Sequence, residues 1–316
     1  LLIARQHHVR LQSEPRDRFG HQGACVVLVA AAEQHEARAR AAGIEQFIFV
    51  TGRNKDTIEN HFDRAYELER TLSDKQKSET LARASDWLPE PGNITFLRQQ
   101  EPLGLGHAVW CARNAVGDEP FAVILADDLH HGTVGCLKQM VDAHEKKPGV
   151  NYAAVMDVPR EKTASYGILK PAGEEGKLVK AAGLVEKPQP ADAPSTLSII
   201  GRYILQPSIF AALENQARGA GGEIQLTDAM SGLIGTTDFY GYRFDGTRYD
   251  CGEVGGYIEA NVALALDRMA LHRARQPNPL AGAGEELLAA YSGFEGDFLD
   301  FFPDALGFAE QVRRAR

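Results

Sequence analysis

A glycine-rich stretch, Arg98-Gln99-Gln100-Glu101-Pro102-Leu103-Gly104-Leu105-Gly106-His107-Ala108-Val109, precedes an apolar run, Ala122-Val123-Ile124-Leu125, that closes on Ala126 and two adjacent carboxylates, Asp127 and Asp128. Few folds accommodate that order. Glycine lets backbone N–H groups approach a ligand with no Cβ in the way. The stretch therefore reads as a loop that opens a helix over 106–115. A carboxylate at the carboxyl end of a buried strand lies where open α/β sheets hold their ligands. A hard divalent cation can be held there against phosphate oxygens. Together the two features point to nucleotide chemistry assisted by a metal.

Short apolar runs recur along the chain with helical patterns between them. Strands are predicted at 47–50, 94–97, 121–125 and 152–158, and helices at 56–72, 106–115 and 136–146. Such alternation points to an α/β fold, a doubly wound mixed sheet, mainly parallel and flanked by helices. After Pro159 the texture changes to short strands rich in glycine and proline, at 166–170, 178–186 and 198–205. These read as a smaller, more antiparallel, β-rich insertion carrying substrate contacts. Residues 74–91 are a charged helical or loop excursion, and 285–291 and 294–312 read as helices suited to packing or subunit contact.

The net charge of −9 argues against a nucleic-acid surface, which needs a basic stripe. It leaves room for a small anionic ligand held by a few local cations. Cys25, Cys111, Cys136 and Cys251 are scattered without C-x-x-C spacing, which disfavours a zinc site or disulfide framework and suits a reducing cytoplasm. The longest apolar run, 24–32, falls far short of the roughly 20 residues of a spanning helix, and its flanks lack a signal-peptide cleavage pattern.

Taken singly, each polar constellation has a plain alternative. Asp127 could hold Mg²⁺, which takes one or two carboxylates beside phosphate oxygens and water, or it could cap or turn the loop toward Gly132. Asp250, in Tyr249-Asp250-Cys251-Gly252, is a second ligand from a distant segment or a turn residue. Pro188 biases Lys187 toward an extended shape, so Glu186 and Lys187 would point to opposite sides of a strand end, one to sugar hydroxyls and one to a phosphate. Two solvated surface charges are the alternative. Glu223, with Thr227, lies near a helix start and could equally serve only the helix dipole. His107 at a helix start could touch a phosphate, or simply pack.

The order of these motifs is more specific than any one of them. Gln99-Gln100 with Gly104-Leu105-Gly106-His107-Ala108-Val109, Val123 to Asp128, Tyr166-Gly167, Val185-Glu186-Lys187-Pro188, Ile200-Gly201-Arg202-Tyr203, Gly222 to Asp228 and Asp250-Cys251-Gly252 together resemble the bacterial UTP–glucose-1-phosphate uridylyltransferases. Ala42-Gly43-Ile44 and Ile58-Glu59-Asn60-His61-Phe62 are also similar to that family, and the resemblance spans about 41–265. It implies that Gln99 reads the uracil edge and that Gly104 lies against the nucleoside. It further implies that Asp127 and Asp250 hold Mg²⁺, that Gly167, Glu186 and Glu223 contact the sugar, and that Lys187 contacts the sugar phosphate. On that pattern 1–158 is a nucleotide-binding half, 159–265 a sugar-binding and metal-completing half, and 266–316 a helical tail. The implied reaction joins UTP and glucose-1-phosphate into UDP-glucose and pyrophosphate, in a cytoplasmic homo-oligomer that binds neither nucleic acid nor membrane. A weakly active or non-catalytic nucleotide-sugar binder, and a transferase using another nucleotide, are the competing readings.

One departure stands out. The family opens with a strand, a G-x-G-T-R loop that wraps the nucleotide phosphates, and a lysine shortly downstream, and residues 1–40 contain no such loop. A diverged homologue, a shifted reading frame upstream of about Ala41, or substitution of the lost charges by Arg5, Arg10 or Arg16 would each account for it. Similarity resumes abruptly near Ala41, which favours the shifted frame. Weak turnover with an intact sugar half is the expectation that follows.

Overall fold

The computed structural model describes residues 2–4, 39–86 and 88–275. They fall in two compact units, Leu1–Arg248 and Tyr249–Arg316. Strands of the first unit are β1 (Leu2–Ala4), β2 (Phe47–Thr51), β3 (Ile94–Arg98), β4 (Phe121–Ile124), β5 (Asp128–His131), β6 (Asn151–Asp157), β7 (Gly167–Glu175), β8 (Leu178–Glu186), β9 (Leu197–Leu205) and β10 (Phe239–Arg243). Nine of them form one sheet in the order β3-β2-β1-β4-β9-β6-β10-β8-β7. Pairing directions make β2, β3, β4, β6, β7 and β10 run one way and β1, β8 and β9 the other. The sheet is thus mixed as expected, but not mainly parallel in its pairing: among the described residues β2–β3 and β6–β10 are parallel neighbours and the other adjacent strands pair antiparallel.

The strands after Pro159 pair antiparallel with one another, as expected of the insertion, and join the same nine-stranded sheet. β9 lies between β4 and β6 at the centre, while β8 and β7 extend the edge beyond β10. All nine residues of β9 are buried, as a central strand covered on both faces of the sheet requires, with Ser198 and Arg202 the polar exceptions in an otherwise apolar strand. The line at 158/159 is therefore crossed by the ladders that join β6 to β9 and β10. The helix predicted at 56–72 is two helices, Asp56–His61 and Tyr66–Asp74. Phe62 turns inward between them onto Phe49 at 4.6 Å, and Phe49 stacks on Phe96 at 5.1 Å. Burying that aromatic cluster outweighs continuing a polar helix.

The helix predicted at 106–115 likewise divides, into Leu105–Cys111 and Arg113–Val116, around the buried Ala112. Cys136–Lys146 forms as predicted, and Ser78–Ser85 gives the 74–91 excursion a helix. The helices expected at 285–291 and 294–312, Cys25, the apolar run at 24–32, and Arg5, Arg10 and Arg16 lie outside the described residues. In the second unit the helix Val254–Arg275 follows Asp250 closely. Among the described residues no helix is long and apolar enough to cross a membrane.

His144 on the helix Cys136–Lys146 is buried edge-to-face against Tyr152 at 5.9 Å, and its Nε2 has no hydrogen-bond partner among the described residues. Burial lowers its pKa below the ordinary imidazole value. The unfolded chain then takes up a proton near pH 6.5 that the fold resists. Stability from the neutral ring is present above that pH, falls as pH drops through it, and levels off below the folded-state value. The melting temperature should fall between pH 7.5 and 5, and His144→Gln should flatten part of that slope. Identical slopes would refute this assignment.

Candidate functional site

β4 delivers its carboxyl end to the site. Leu125 N–H donates to the Gly201 carbonyl at 2.7 Å, then Ala126 and Asp127 turn and β5 begins at Asp128. The two carboxylates consequently part. Asp127 is exposed, and among the described residues no hydrogen bond or ion pair occupies its carboxylate. Asp128 is buried and ion-paired to the Arg248 side chain, both being under a tenth exposed. Burial, the larger influence, raises the Asp128 carboxyl above the usual range, and Arg248 opposes it. Arg248 Nη1 also donates to the Tyr166 hydroxyl at 3.0 Å, with the guanidinium over that ring at 5.1 Å. Arg202 brackets the turn from beneath, donating to the carbonyls of Leu125 at 2.9 Å and Asp128 at 2.6 Å. A Cβ on Gly201 would collide with the Asp128 carboxylate.

The glycine loop is held against a segment more than a hundred residues away. Ile224 N–H donates to the Leu103 carbonyl at 2.7 Å, and Gly106 N–H to the Ile224 carbonyl at 2.9 Å. Gly104 needs to be glycine twice over. Its φ is +101°, and a Cβ there would stand 2.7 Å from Cβ of Glu223. Gln99 Nε2 donates to the Gly104 carbonyl at 3.0 Å and lies 3.1 Å from Nδ1 of His107. The carbonyl can only accept, which fixes the amide's orientation and leaves Gln99 Oε1 to take an N–H from a ligand. His107 stacks on Trp110 at 5.9 Å, the packing role.

A second group assembles where β7 and β8 pair. Gly167 faces Glu186 across that ladder. A Cβ on Gly167 would lie 2.9 Å from Thr227 Oγ1 and 3.2 Å from Glu186 Oε2. The Glu186 side chain is only 10% exposed, and Lys187 Nζ lies 3.7 Å from its Oε1. The extended shape expected of Lys187 is not adopted: its φ is +46°, and its N–H donates to the Tyr166 carbonyl at 3.0 Å. That bond turns the chain back beside Tyr166 and overrides the pre-proline preference, at a local cost of about 1–3 kcal/mol. The lysine and the glutamate are therefore neighbours rather than opposed.

The run from Glu223 to Thr227 joins the two groups. Glu223 and Ile224 touch the glycine loop, Thr227 touches Gly167, and the helix starts at Leu226 with Gln225 as its N-cap. Glu223 is exposed, accepting from Gln225 Nε2 at 3.2 Å, so it lies before the helix rather than in its first turn. Ser231 pins the same helix to β8, accepting from Leu184 N–H at 3.2 Å and donating to the Leu184 carbonyl at 3.1 Å. Gln99, Gly104, Glu223, Gly167, Glu186 and Lys187 thus belong to one connected surface, with Asp127 joined to it through Asp128, Arg248 and Tyr166. Asp250 is in the second unit, where its carboxylate accepts from Gly252 N–H at 3.2 Å. Sequence reasoning missed Arg248, Arg202 and Thr227 as site builders, although all three lie in or beside the ordered motifs.

Asp127 could hold a hard divalent cation. Its hard oxygens are uncommitted, and among the described residues no cluster of three or more ligating side chains forms a cage. A cation held by one or two carboxylates together with substrate phosphates needs no cage.

The nucleotidyl transferase family model matches residues 31–266. The UTP–glucose-1-phosphate uridylyltransferase of Komagataeibacter xylinus is 47% identical over 214 residues, 68% of this chain and 75% of that protein. The protein of the same name from Bacillus subtilis (strain 168) is 47% identical over 225 residues, 71% and 76% of the two chains. The solved structure of UTP-bound UGPase from Acinetobacter baumannii superposes with a TM-score of 0.69 at 34% identity, covering 85% of this chain and 98% of that one.

Proposed function

The chain belongs to the nucleotidyl transferase family, among the UTP–glucose-1-phosphate uridylyltransferases, and from that premise we propose how its residues make UDP-glucose from UTP and glucose-1-phosphate. The observation that supports the reading most is the stitching of Leu103 and Gly106 to Ile224, which sets the nucleoside loop beside Glu223. A phosphate oxygen of glucose-1-phosphate attacks the α-phosphorus of UTP. The new P–O bond forms as the bond to the bridging α–β oxygen breaks, and pyrophosphate leaves with that electron pair. Such a displacement needs alignment and charge neutralisation more than acid–base groups.

Gln99 Oε1 accepts the uracil N3–H, and the glycine at 104 admits the nucleoside to the backbone. Glu186, fixed between Gly167 and Lys187, accepts from sugar hydroxyls, and Glu223 does so from the loop side. Lys187 directs its ammonium to the sugar phosphate and limits repulsion between the two phosphates. Asp127 would hold Mg²⁺, and the bound ion would offset charge gathering on the pyrophosphate. Residues 1–158 serve the nucleotide and 159–265 the sugar and metal, although one sheet runs through both. We also place the chain in the cytoplasm as a homo-oligomer.

Equilibrium binding of UDP-glucose tests the sugar assignment without requiring turnover. Glu186→Ala should weaken binding at least about tenfold, the loss of one or more charge-assisted hydrogen bonds, while UMP affinity stays within about twofold. Parallel loss of both would remove Glu186 from the sugar site.

A further inference from the structure

Asp127 and Gly167 belong to different parts of the site, and among the described residues no hydrogen bond or ion pair joins them directly. One buried bridge does. Asp128 follows Asp127 in the chain, pairs with Arg248, and through Arg248 Nη1 reaches the Tyr166 hydroxyl at 3.0 Å. Tyr166 precedes Gly167, and its carbonyl holds Lys187 N–H at 3.0 Å in the left-handed turn. Resting on the function proposed above, we infer that Arg248 is a positioning residue that couples the metal carboxylate of Asp127 to the sugar-phosphate contacts at Gly167, Glu186 and Lys187.

Each link has the rigidity this requires. The Arg248 and Asp128 side chains are 8% and 7% exposed. A planar guanidinium can hold a carboxylate and a phenol together in a fixed geometry, which an ammonium cannot. Arg202 grips both carbonyls flanking the Ala126–Asp127 turn, so displacement of Asp128 displaces the turn. Gly201 is the space in which the Asp128 carboxylate sits. An ion pair that served stability alone would need neither the hydroxyl of Tyr166 nor a connection to the strained Lys187. Coupling of this kind appears as linkage: an ion at Asp127 strengthens sugar-nucleotide binding, and the bridge carries part of that effect.

Calorimetric titration of UDP-glucose into the full chain, with and without Mg²⁺, reads the linkage directly. The wild type should bind about tenfold tighter with Mg²⁺, within the usual range for coupled sites. Tyr166→Phe removes one hydroxyl and keeps the ring. It should lose most of the Mg²⁺ factor, with metal-free affinity within about twofold and a melting temperature within about 2 °C. Arg248→Lys should act in the same direction, and the double variant should lose no more than Arg248→Lys alone. A Tyr166→Phe chain that retains the full Mg²⁺ factor overturns the coupling and leaves the proposed function standing. So does one whose metal-free affinity falls by as much as its Mg²⁺-bound affinity, since that is a merely structural loss. A wild type that binds UDP-glucose without any Mg²⁺ effect removes the metal at Asp127 and the coupling with it. Failure of the wild type to bind UDP-glucose at all overturns the function itself.

Discussion

Replacing residues 1–40 by a strand, a G-x-G-T-R loop and a downstream lysine should raise pyrophosphate release from UTP and glucose-1-phosphate at least about a hundredfold. Each preorganised donor aimed at a developing phosphate charge is worth about 10²–10³ in rate, and the family's loop supplies several. The chain as it stands presents no such loop in its first 40 residues, and its match to the family model begins at residue 31. The sugar-side groups Gly167, Glu186, Lys187 and Thr227 are nevertheless in mutual contact. Repair should therefore act on the triphosphate. UDP-glucose, which has lost the two outer phosphates of UTP, should bind with affinity changed by no more than a few-fold. Equal rates before and after the replacement would mean that Arg5, Arg10 or Arg16 already supplies the charge the loop would bring. A gain in UDP-glucose affinity as large as the gain in rate would mean that the segment shapes the whole site.

Legibility in the sequence followed the range of the interactions involved. β2, β3 and β4 were readable because each is a short apolar run bounded by turn residues, and Asp127 was readable because it closes one of them. β5 and β10 were not. Asp128-Leu129-His130-His131 and Phe239-Tyr240-Gly241-Tyr242-Arg243 are polar or aromatic, and they become strands through partners distant in the chain. The adjacent carboxylates Asp127 and Asp128 are chemically alike in sequence. What makes one exposed and the other buried is Arg248, 120 positions downstream. At Lys187 a local rule pointed the wrong way, because Pro188 favours an extended neighbour while the hydrogen bond to Tyr166 imposes a left-handed one. Family resemblance pointed to the residues proposed to meet ligand. The residues that hold them in place required the fold.

Asp127→Asn should lower kcat by about 10²–10³ and raise the Mg²⁺ concentration needed for half-activation, with little change in stability. Asparagine keeps the shape and the turn preference of aspartate but offers one neutral carbonyl where the ion needs an anionic oxygen. Loss of one electrostatic contact made chiefly to the leaving group's charge falls in that range of rate. Asp128 cannot take over, because its carboxylate is committed to Arg248 and only 7% of its side chain is exposed. The same argument gives Asp128→Asn the opposite profile. Neutralising it leaves a buried guanidinium without its counter-charge, a loss of about 3–5 kcal/mol. One substitution should therefore disable chemistry in a stable fold, and its immediate neighbour should destabilise the fold first. Mg²⁺ titrations of rate, paired with urea unfolding of both variants, separate the two. If Asp127→Asn kept full rate with an unchanged Mg²⁺ requirement, the metal would have to be held elsewhere. If Asp128→Asn unfolded like the wild type, the buried pair would not be what fixes the turn.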